Sequence, residues 1–331
     1  MKTLLILAAA AVATPPVKPA LAPSEIVAAA PAGDWVAIAP TDLLVMDLAS
    51  RKRVVIQLMP PPFSQGWVGN IRKLAAARWW DGTSVNRVQD NYVVQWGDAT
   101  EKKALPGGLV TVPESAYLTP FEQGLFAKRW GKRGLESAIS PFPSPVPPSQ
   151  FLTNFSDPYA YALSFSGGFP VAMDLLDMGQ PRDGGNRGSI STPVEVWPVH
   201  CYGMVGVGRD MPPNTGTGAE LYTVIGHAPR HLDRNIALVG RVISGIEHLS
   251  SLPRGTGDLG FYKTPEERTG ITSVRIGTDV AGLPRYEYLS TESASFAAYA
   301  DARANRRDPF FIHPAGGADI CNIPVPVRVV K

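Results

Sequence analysis

Residues 79–98, WWDGTSVNRVQDNYVVQWGD, contain two short runs in which apolar and polar side chains alternate. Alternation with a period of two is typical of β-strands, and the turn formers Asp90 and Asn91 separate the two runs. The sequence therefore predicts a β-hairpin that carries Arg87 on one arm and Gln95 on the other. Since charged side chains are costly when buried without a partner, the spacing alone favours two polar residues that face solvent.

The motif as a whole is more specific than its strand pattern. It resembles the central motif of the cyclophilin-type peptidyl-prolyl isomerases, which is approximately Y-D-G-T-x-F-H-R-V-x-x-x-F-x-x-Q-x-G-D. The residues that match in register, without a gap, are Trp80, Asp81, Gly82, Thr83, Val85, Asn86, Arg87, Val88, Tyr92, Val93, Gln95, Gly97 and Asp98. A match of this length is much stronger evidence than a four-residue motif.

Further segments resemble the same family. Residues 68–75, VGNIRKLA, have apolar side chains at helical spacing and match the family's first helix, V-x-N-F-x-x-L. Residues 213–222, PNTGTGAELY, resemble P-N-T-N-G-S-Q-F-F with one extra residue, and residues 230–242 resemble W-L-D-G-K-H-V-V-F-G-K-V. Residues 243–252 are then expected to form the second helix. The resemblance covers about 35–98 and 200–253.

The resemblance implies a mainly β fold, namely a closed eight-stranded antiparallel barrel capped by two helices. The isomerase domain would span 35–253 and would be interrupted by a large loop insertion, 99–197, that decorates the barrel mouth and contains a proline-rich block at 141–148. Residues 42–48 and 53–58 are predicted to form the first hairpin. Residues 254–331 are interpreted as a C-terminal extension packed on the barrel, with extended segments at 259–262 and 272–276, a helix at 296–303 and an edge strand at 323–330.

The chemistry that the resemblance implies is rotation about an X–Pro peptide bond. The barrier of about 18–20 kcal/mol arises because the amide loses its resonance, so no nucleophile, metal or cofactor is required. A pocket for the proline ring and a donor that favours the twisted amide lower this barrier. A guanidinium suits the donor role because it is permanently charged and has forked N–H groups. By resemblance, Arg87 is the catalytic residue, and Gln95 holds both the guanidinium and the substrate backbone.

The resemblance also implies the residues that bind the substrate. They are Tyr92, Val93, Tyr222 and Leu232 in the proline pocket, Arg209 and Asp210 beside the residues that precede proline, and Glu220 and His231 on the rim. Four positions depart from the family's usual residues: Val93 replaces Met, Glu220 replaces Gln, His231 replaces Trp, and Ile236 replaces His. An ion pair between Glu220 and Arg87 is expected, which would either orient or sequester the guanidinium.

The N-terminus has the pattern of an export signal. A short apolar run ends at Ala13, and A-x-A-like cleavage sites occur at 11–13 and 20–22. Because the run is too short for a membrane span, residues 1–22 are interpreted as a signal peptide and the start of a flexible leader that reaches Ala32. The protein is expected to be exported, to the periplasm.

In an exported protein the two cysteines, Cys201 and Cys321, suggest a disulfide, and two buried thiols are the alternative.

The composition narrows the remaining functions only slightly. A net charge of +2 gives no electrostatic reason to expect binding to nucleic acid or to an anionic membrane. No G-x-S-x-G elbow is present and the five His are scattered, so neither a hydrolase nor a metal site is expected.

Two hypotheses for the function remain. The first is a monomeric, cofactor-free prolyl isomerase that assists folding of envelope proteins and takes proline-containing polypeptides as substrates. The second is a non-catalytic proline-peptide binding or scaffold protein on the same barrel.

Overall fold

The computed structural model describes residues 20–120, 157–160, 162–175 and 194–330. The barrel strands are β2 (Leu43–Leu48), β3 (Arg53–Leu58), β4 (Ser84–Val88), β5 (Val93–Gly97), β10 (Met204–Val207), β11 (Leu221–Val224), β12 (Leu238–Ser244) and β13 (Thr269–Ile276). The other strands are β1 (Trp35–Ala37), β6 (Thr119–Pro120), β7 (Ala162–Ser166), β8 (Phe169–Leu175), β9 (Val194–Pro198), β14 (Tyr286–Leu289) and β15 (Val327–Val329). The helices are α1 (Pro23–Ala29), α2 (Gln65–Ala76), α3 (Glu247–Ser250) and α4 (Ala294–Ala304).

Eight strands close an antiparallel barrel in the order β10–β11–β5–β4–β13–β2–β3–β12, which confirms the fold expected from the sequence. The two predicted hairpins are present as β2–β3 and β4–β5. In the second hairpin Arg87 is paired directly with Gln95. Residues opposite each other in an antiparallel pair have neighbouring side chains on one face, so the register itself brings these two polar groups together.

Helix α2 packs against the barrel, as its apolar spacing predicts. Trp67, Ile71 and Leu74 on this helix are fully buried in the same core cluster as the barrel strands. The buried Asn70 bonds both the N–H and the carbonyl oxygen of Val110, at 2.9 Å each. An asparagine at this position therefore satisfies the backbone of the loop that follows β5, which explains a polar residue on an otherwise apolar helix face.

The C-terminal boundary of the barrel domain lies later than the sequence indicated. Strand β13 belongs to the segment interpreted as an extension, yet it pairs with β2 on one side and β4 on the other. Without it the barrel would be open, so the barrel domain extends at least to Ile276. Arg275 on this strand donates two hydrogen bonds of 2.6 Å to Asp81, the aspartate of the central motif.

Two local expectations are also corrected. Residues 243 and 244 were expected in a helix but end strand β12, which pairs with β3 as far as Ser244, and helix α3 is a single turn. Gly245, with a φ of 82°, makes the sharp change of direction between them. Residues 23–29 were expected in a flexible leader, but they form α1, which packs on α4. Of the predicted signal segment, 1–22, residues 1–19 lie outside the described residues.

The described parts of the insertion form a sheet of their own, in the order β6–β9–β8–β7. Its side chains Phe169, Val171 and Trp197 are fully buried and belong to the same core cluster as the barrel. The proline-rich block at 141–148 is not among the described residues. Strand β1 near the N-terminus and strands β14 and β15 near the C-terminus form a third sheet, in the order β1–β14–β15. The predicted edge strand is therefore present as β15, and the predicted helix is present as α4. Across the ranges that the structure describes, no helix is both long and apolar enough to cross a membrane.

A disulfide joins Cys201 to Cys321 and ties the C-terminal segment to the chain just before β10. We expect that replacing both cysteines by serine lowers the free energy of unfolding by about 2–5 kcal/mol, because a link across 120 residues restricts the unfolded chain. Urea unfolding of the two proteins measures this difference. Reductant should destabilise the natural protein to the same extent and leave the serine variant unchanged. Equal stability of the oxidised protein and the variant would contradict the expectation.

Candidate active site

The guanidinium of Arg87 is half-buried and held from three sides. Its Nη1 donates to Gln95 Oε1 at 3.2 Å, its Nε donates to the carbonyl oxygen of Leu259 at 2.8 Å, and its Nη2 donates to Gln89 Oε1. Partial burial lowers the pKa of Arg87 from its ordinary value, but an arginine remains charged at neutral pH. The contacts therefore present a cation in one fixed orientation at the barrel surface.

Two aromatic rings flank this cation. The guanidinium carbon lies 5.7 Å from the centre of the Tyr92 ring and 5.2 Å from the centre of the Phe261 ring. Both distances are within the range in which a cation is attracted to an aromatic face. Tyr92 was expected here from the sequence, whereas Phe261 was not.

The segment that supplies Leu259 and Phe261 was missed because it follows the last resembling segment. It reaches Arg87 through a backbone bridge between Arg87 and Phe261. Close packing of this loop requires glycine: a Cβ on Gly255 would lie 1.9 Å from the carbonyl oxygen of Gly260, and one on Gly260 would lie 2.6 Å from Gln89 Cα. The glycine spacing in G-T-G-D-L-G was the one signal of a tightly folded loop.

Gln95 separates Arg87 from Glu220. Because Gln95 Oε1 accepts from Arg87, its amide N–H groups are left for the Glu220 carboxyl, whose pKa they lower. Glu220 Oε1 also accepts the backbone N–H of Asp98 at 2.7 Å. Among ion pairs of the described residues none joins Arg87 to Glu220, so the expected pair is absent: Arg87 bonds Gln95, and the Glu220 carboxyl bonds the backbone of Asp98. Gly97 makes room for it, since a Cβ there would lie 1.9 Å from Glu220 Oε1.

Burial raises the pKa of Glu220 from 4.5 to about 7, against the opposing effect of its hydrogen bonds to Asp98, Asn86 and Gln95. Its second oxygen, Oε2, and the Oδ1 of Asn86 are both buried without a hydrogen-bond partner. Both atoms are acceptors when the carboxyl is ionised, so a proton on Glu220 adds the donor that this corner lacks.

The proline pocket predicted from the sequence is assembled in part. Val93 and Tyr222 are buried together with Val224, and Tyr92 and Ile236 pack against them. Leu232 is half-buried in the neighbouring 3₁₀ turn, outside this cluster. His231, which replaces the family's usual Trp, is exposed, and its ring is parallel to that of Tyr92 with 6.4 Å between ring centres. The apolar floor and one aromatic wall are thus present.

Arg209 and Asp210 lie in the loop that follows β10, beside the same site. Arg209 donates to the carbonyl oxygen of Asn235 at 3.0 and 3.1 Å, and Asp210 is exposed. The loop approaches the site closely at Gly208, where a Cβ would lie 2.9 Å from Glu220 Cβ and 3.4 Å from Gln95 Nε2. The rim residues are therefore near the residues that hold Arg87.

The sequence also gave no sign of a buried histidine behind the pocket. His200 bonds the hydroxyl of Tyr222 through Nε2 and the carboxylate of Asp233 through Nδ1, at 2.8 Å each. These residues come from separate segments and form no local motif. No group of three or more His, Cys, Asp or Glu side chains within the described ranges is arranged to hold a metal.

The pKa of Glu220 predicts a pH-dependent contribution to stability. Between about pH 4.5 and 7 the folded protein keeps a proton that the unfolded chain has lost, so the free energy of unfolding falls as pH rises. We expect Glu220→Gln, which is neutral at every pH, to remove about 2 kcal/mol of this fall between about pH 5 and 8. Urea unfolding at the two pH values measures it, with the exposed Glu101→Gln as control. An identical pH dependence in the natural protein and Glu220→Gln would contradict the assignment.

Comparisons with known proteins identify the family and agree with the fold. The family model described as cyclophilin type peptidyl-prolyl cis-trans isomerase/CLD matches residues 45–276. No curated protein matches the sequence significantly. The crystal structure of the cyclophilin AquaCyp293 from Hirschia baltica is similar in fold, with a TM-score of 0.61 and 20% identity over 90% of this chain and 94% of that chain. A cyclophilin type peptidyl-prolyl cis-trans isomerase of Cryptosporidium parvum, crystallised in the presence of the dipeptide Ala-Pro, has 11% identity over 71% of this chain and 98% of that chain. Its TM-score of 0.36 is too low to support an argument.

The family match covers all eight barrel strands except the first two residues of β2, and with them the hairpin that carries Arg87 and Gln95. It also extends past Pro253 to the end of β13, in agreement with the later domain boundary. The chain therefore belongs to the cyclophilin-type peptidyl-prolyl cis-trans isomerases, enzymes that rotate X–Pro peptide bonds.

Proposed function

We propose that this chain accelerates rotation about X–Pro bonds with Arg87 as the donor to the prolyl nitrogen. The observation that carries the proposal is the position of one fixed, half-buried guanidinium at the edge of the cluster of Val93, Tyr222 and Tyr92. That arrangement has the two parts that the reaction needs: an apolar surface for the ring and a strong donor beside it.

The chemical step follows from the electronic change in the amide. As the bond twists, the nitrogen lone pair no longer conjugates with the carbonyl and becomes available as an acceptor. An N–H of Arg87 bonds that lone pair only in the twisted state, so the interaction favours the transition state over either planar isomer. Donors of this kind contribute about 3–4 kcal/mol to other reactions. Gln95 has two amide N–H groups, so one can bond Glu220 while the other bonds the substrate backbone.

The exposed side chains of Leu259 and Phe261 extend this surface on the far side of Arg87. They favour a polypeptide substrate with an apolar residue next to proline over a free dipeptide, because apolar area beyond the ring can then be buried. The altered rim at Glu220 and His231 indicates a different preference for flanking residues from that of relatives with Gln and Trp. The substrate class is therefore proline-containing polypeptide.

The cellular role that we propose is assistance to folding of envelope proteins by a monomer in the periplasm. The A-x-A-like sites near the N-terminus support export. The disulfide supports the same compartment, since such bonds persist in oxidising surroundings. The closed barrel has no free strand edge of its own for pairing with another chain, which favours a monomer.

Replacement of Arg87 tests the catalytic proposal. We expect Arg87→Ala to lower kcat/KM for a short X–Pro peptide about a hundredfold, and Arg87→Lys to recover only part of it, because lysine keeps the charge but not the forked donor. Exchange spectroscopy of the peptide measures the rate. Arg53→Ala is the matched control, since Arg53 is a barrel-strand arginine paired with Asp47. If the folded natural protein binds the peptide without acceleration, the proline-peptide binding module is the correct function instead.

Export is tested by the fate of the N-terminus. We expect the full chain, expressed in a bacterial host with a periplasm, to be recovered there with its N-terminus after Ala13 or Ala22. Cleavage at either site leaves helix α1 complete, because α1 begins at Pro23. N-terminal sequencing of the fractionated protein gives the site, and a variant without residues 2–13 is the control that stays in the cytoplasm. Uncleaved protein found only in the cytoplasm would contradict export.

A further inference from the structure

A buried chain of polar side chains lies directly behind the proline pocket. It runs from the Tyr222 hydroxyl to His200 Nε2 at 2.8 Å, and from His200 Nδ1 to Asp233 Oδ1 at 2.8 Å. Asp233 Oδ2 then accepts from Arg230 Nε at 2.6 Å, and Arg230 Nη1 donates to Asp157 Oδ2 at 2.9 Å. All five side chains are at least nine-tenths buried. Burial of this many polar groups is tolerable only because each has a partner.

The proton positions in the chain follow from the groups at its centre. Asp233 accepts from Arg230 and also from the backbone N–H of His200, so it acts as an ionised carboxylate that can only accept. His200 must therefore carry its proton on Nδ1. Burial lowers the pKa of His200, which keeps the ring neutral and leaves Nε2 as an acceptor. The hydroxyl of Tyr222 then donates to His200 Nε2, and His200 Nδ1 donates to Asp233, so both hydrogen bonds run from the pocket toward the carboxylate.

The hydrogen bond between the Tyr222 hydroxyl and His200 fixes the Tyr222 ring, which forms part of the proline pocket. Tyr222 lies across Gly206, where a Cβ would be 2.3 Å from its hydroxyl oxygen, and its ring is parallel to that of His200 with 6.3 Å between centres. The same ring packs with Val93 in the pocket cluster, and Tyr222 is paired with Gln95 across the sheet. A shift of the Tyr222 ring would therefore change both the surface that contacts the proline ring of the substrate and the position of Gln95, which holds Arg87.

The outer end of the chain is held by the insertion. Asp157 accepts a hydrogen bond from Arg230, and the guanidinium carbon of Arg230 lies 5.2 Å from the centre of the Tyr159 ring. The neighbouring residue of His200 is Cys201, so the disulfide to Cys321 anchors the backbone of the same segment. The insertion and the C-terminal segment thus converge on the residues that support Tyr222.

We propose that His200 is a positioning residue of the proline pocket, which holds Tyr222 through its hydroxyl, and that the insertion supports His200 through Asp157 and Arg230. This inference rests on the proposed function, because it concerns the pocket of that site. His200 touches neither the substrate nor the reacting atoms, so its effect is transmitted through the position of the Tyr222 ring.

Removal of the hydroxyl tests the inner end of the chain. We expect Tyr222→Phe to weaken binding of a short Ala-Pro peptide, followed by NMR titration, by about threefold to tenfold, and to raise KM more than it lowers kcat. The matched control is Tyr299→Phe, because Tyr299 is an equally buried tyrosine whose hydroxyl bonds the carbonyl oxygen of Pro324, away from the site. A role in stability alone would give the two variants similar unfolding curves and leave peptide binding unchanged in both.

A double-mutant cycle tests the link to His200. His200→Leu should weaken binding as Tyr222→Phe does, whereas His200→Gln, which can accept from Tyr222 and donate to Asp233, should recover most of it. The double variant His200→Leu/Tyr222→Phe should bind no more weakly than the worse single variant, because both unpaired groups are then removed. Independent, additive losses would overturn the proposal. Thermal unfolding of each variant ensures that the folded protein is compared.

Asp157→Asn tests the outer end. It should weaken binding in the natural background and have no effect in the Tyr222→Phe background, since the hydroxyl through which the insertion acts is then absent. An equal effect in both backgrounds would overturn the role of the insertion. Peptide binding is measured separately from turnover, so a protein that binds without accelerating rotation refutes the catalytic proposal alone. A folded natural protein that neither binds nor accelerates refutes both.

Discussion

The structure of the site depends on the cross-strand pair of Arg87 and Gln95. A guanidinium in a half-buried position needs acceptors for its N–H groups, and the β4–β5 register supplies one directly opposite. Once Gln95 Oε1 is committed to Arg87, its amide must face the other way, toward Glu220. The orientation of three side chains is thus fixed by one strand pairing, and the pocket beside them is built on the next strand, β11, in register with β5.

The sequence was sufficient for whatever depends on local patterns and on the central motif. The hairpins and α2 were predictable because alternation and helical spacing encode them directly. The grouping of Tyr92, Val93 and Tyr222 near Arg87 was implied by the resemblance of the motifs to the family, and not by the spacing. Contacts between distant segments were not. Leu259 reaches Arg87 across 172 residues of chain, and nothing in the local sequence at either end indicates the other. Strand β13 was assigned to an extension for the same reason, since only its two partners show that it belongs to the barrel.

The case of Glu220 shows why residue type alone was insufficient at the rim. Opposite charges at Glu220 and Arg87 predict attraction, but an ion pair in this buried corner must first repay the cost of removing the carboxylate from water, whereas a hydrogen bond to an available N–H is directional. The carboxyl bonds the N–H of Asp98, in space that Gly97 leaves open. The absence of a side chain at Gly97 therefore sets the position of the Glu220 carboxyl, and its burial there raises the pKa.

The insertion raises the question of why a barrel tolerates so long an interruption near its site. The entropy of closing a loop grows only slowly with its length, so length itself is a small cost when the added chain buries apolar surface of its own. Here β8 and β9 bring Phe169 and Trp197 into the barrel core. Yet packing of these side chains does not require Asp157 to enter a buried polar chain, where an unpaired carboxylate is costly. Asp157 pairs with Arg230, and Arg230 also pairs with Asp233, the residue that bonds His200. This placement argues that the insertion supports the pocket and is not only an added surface.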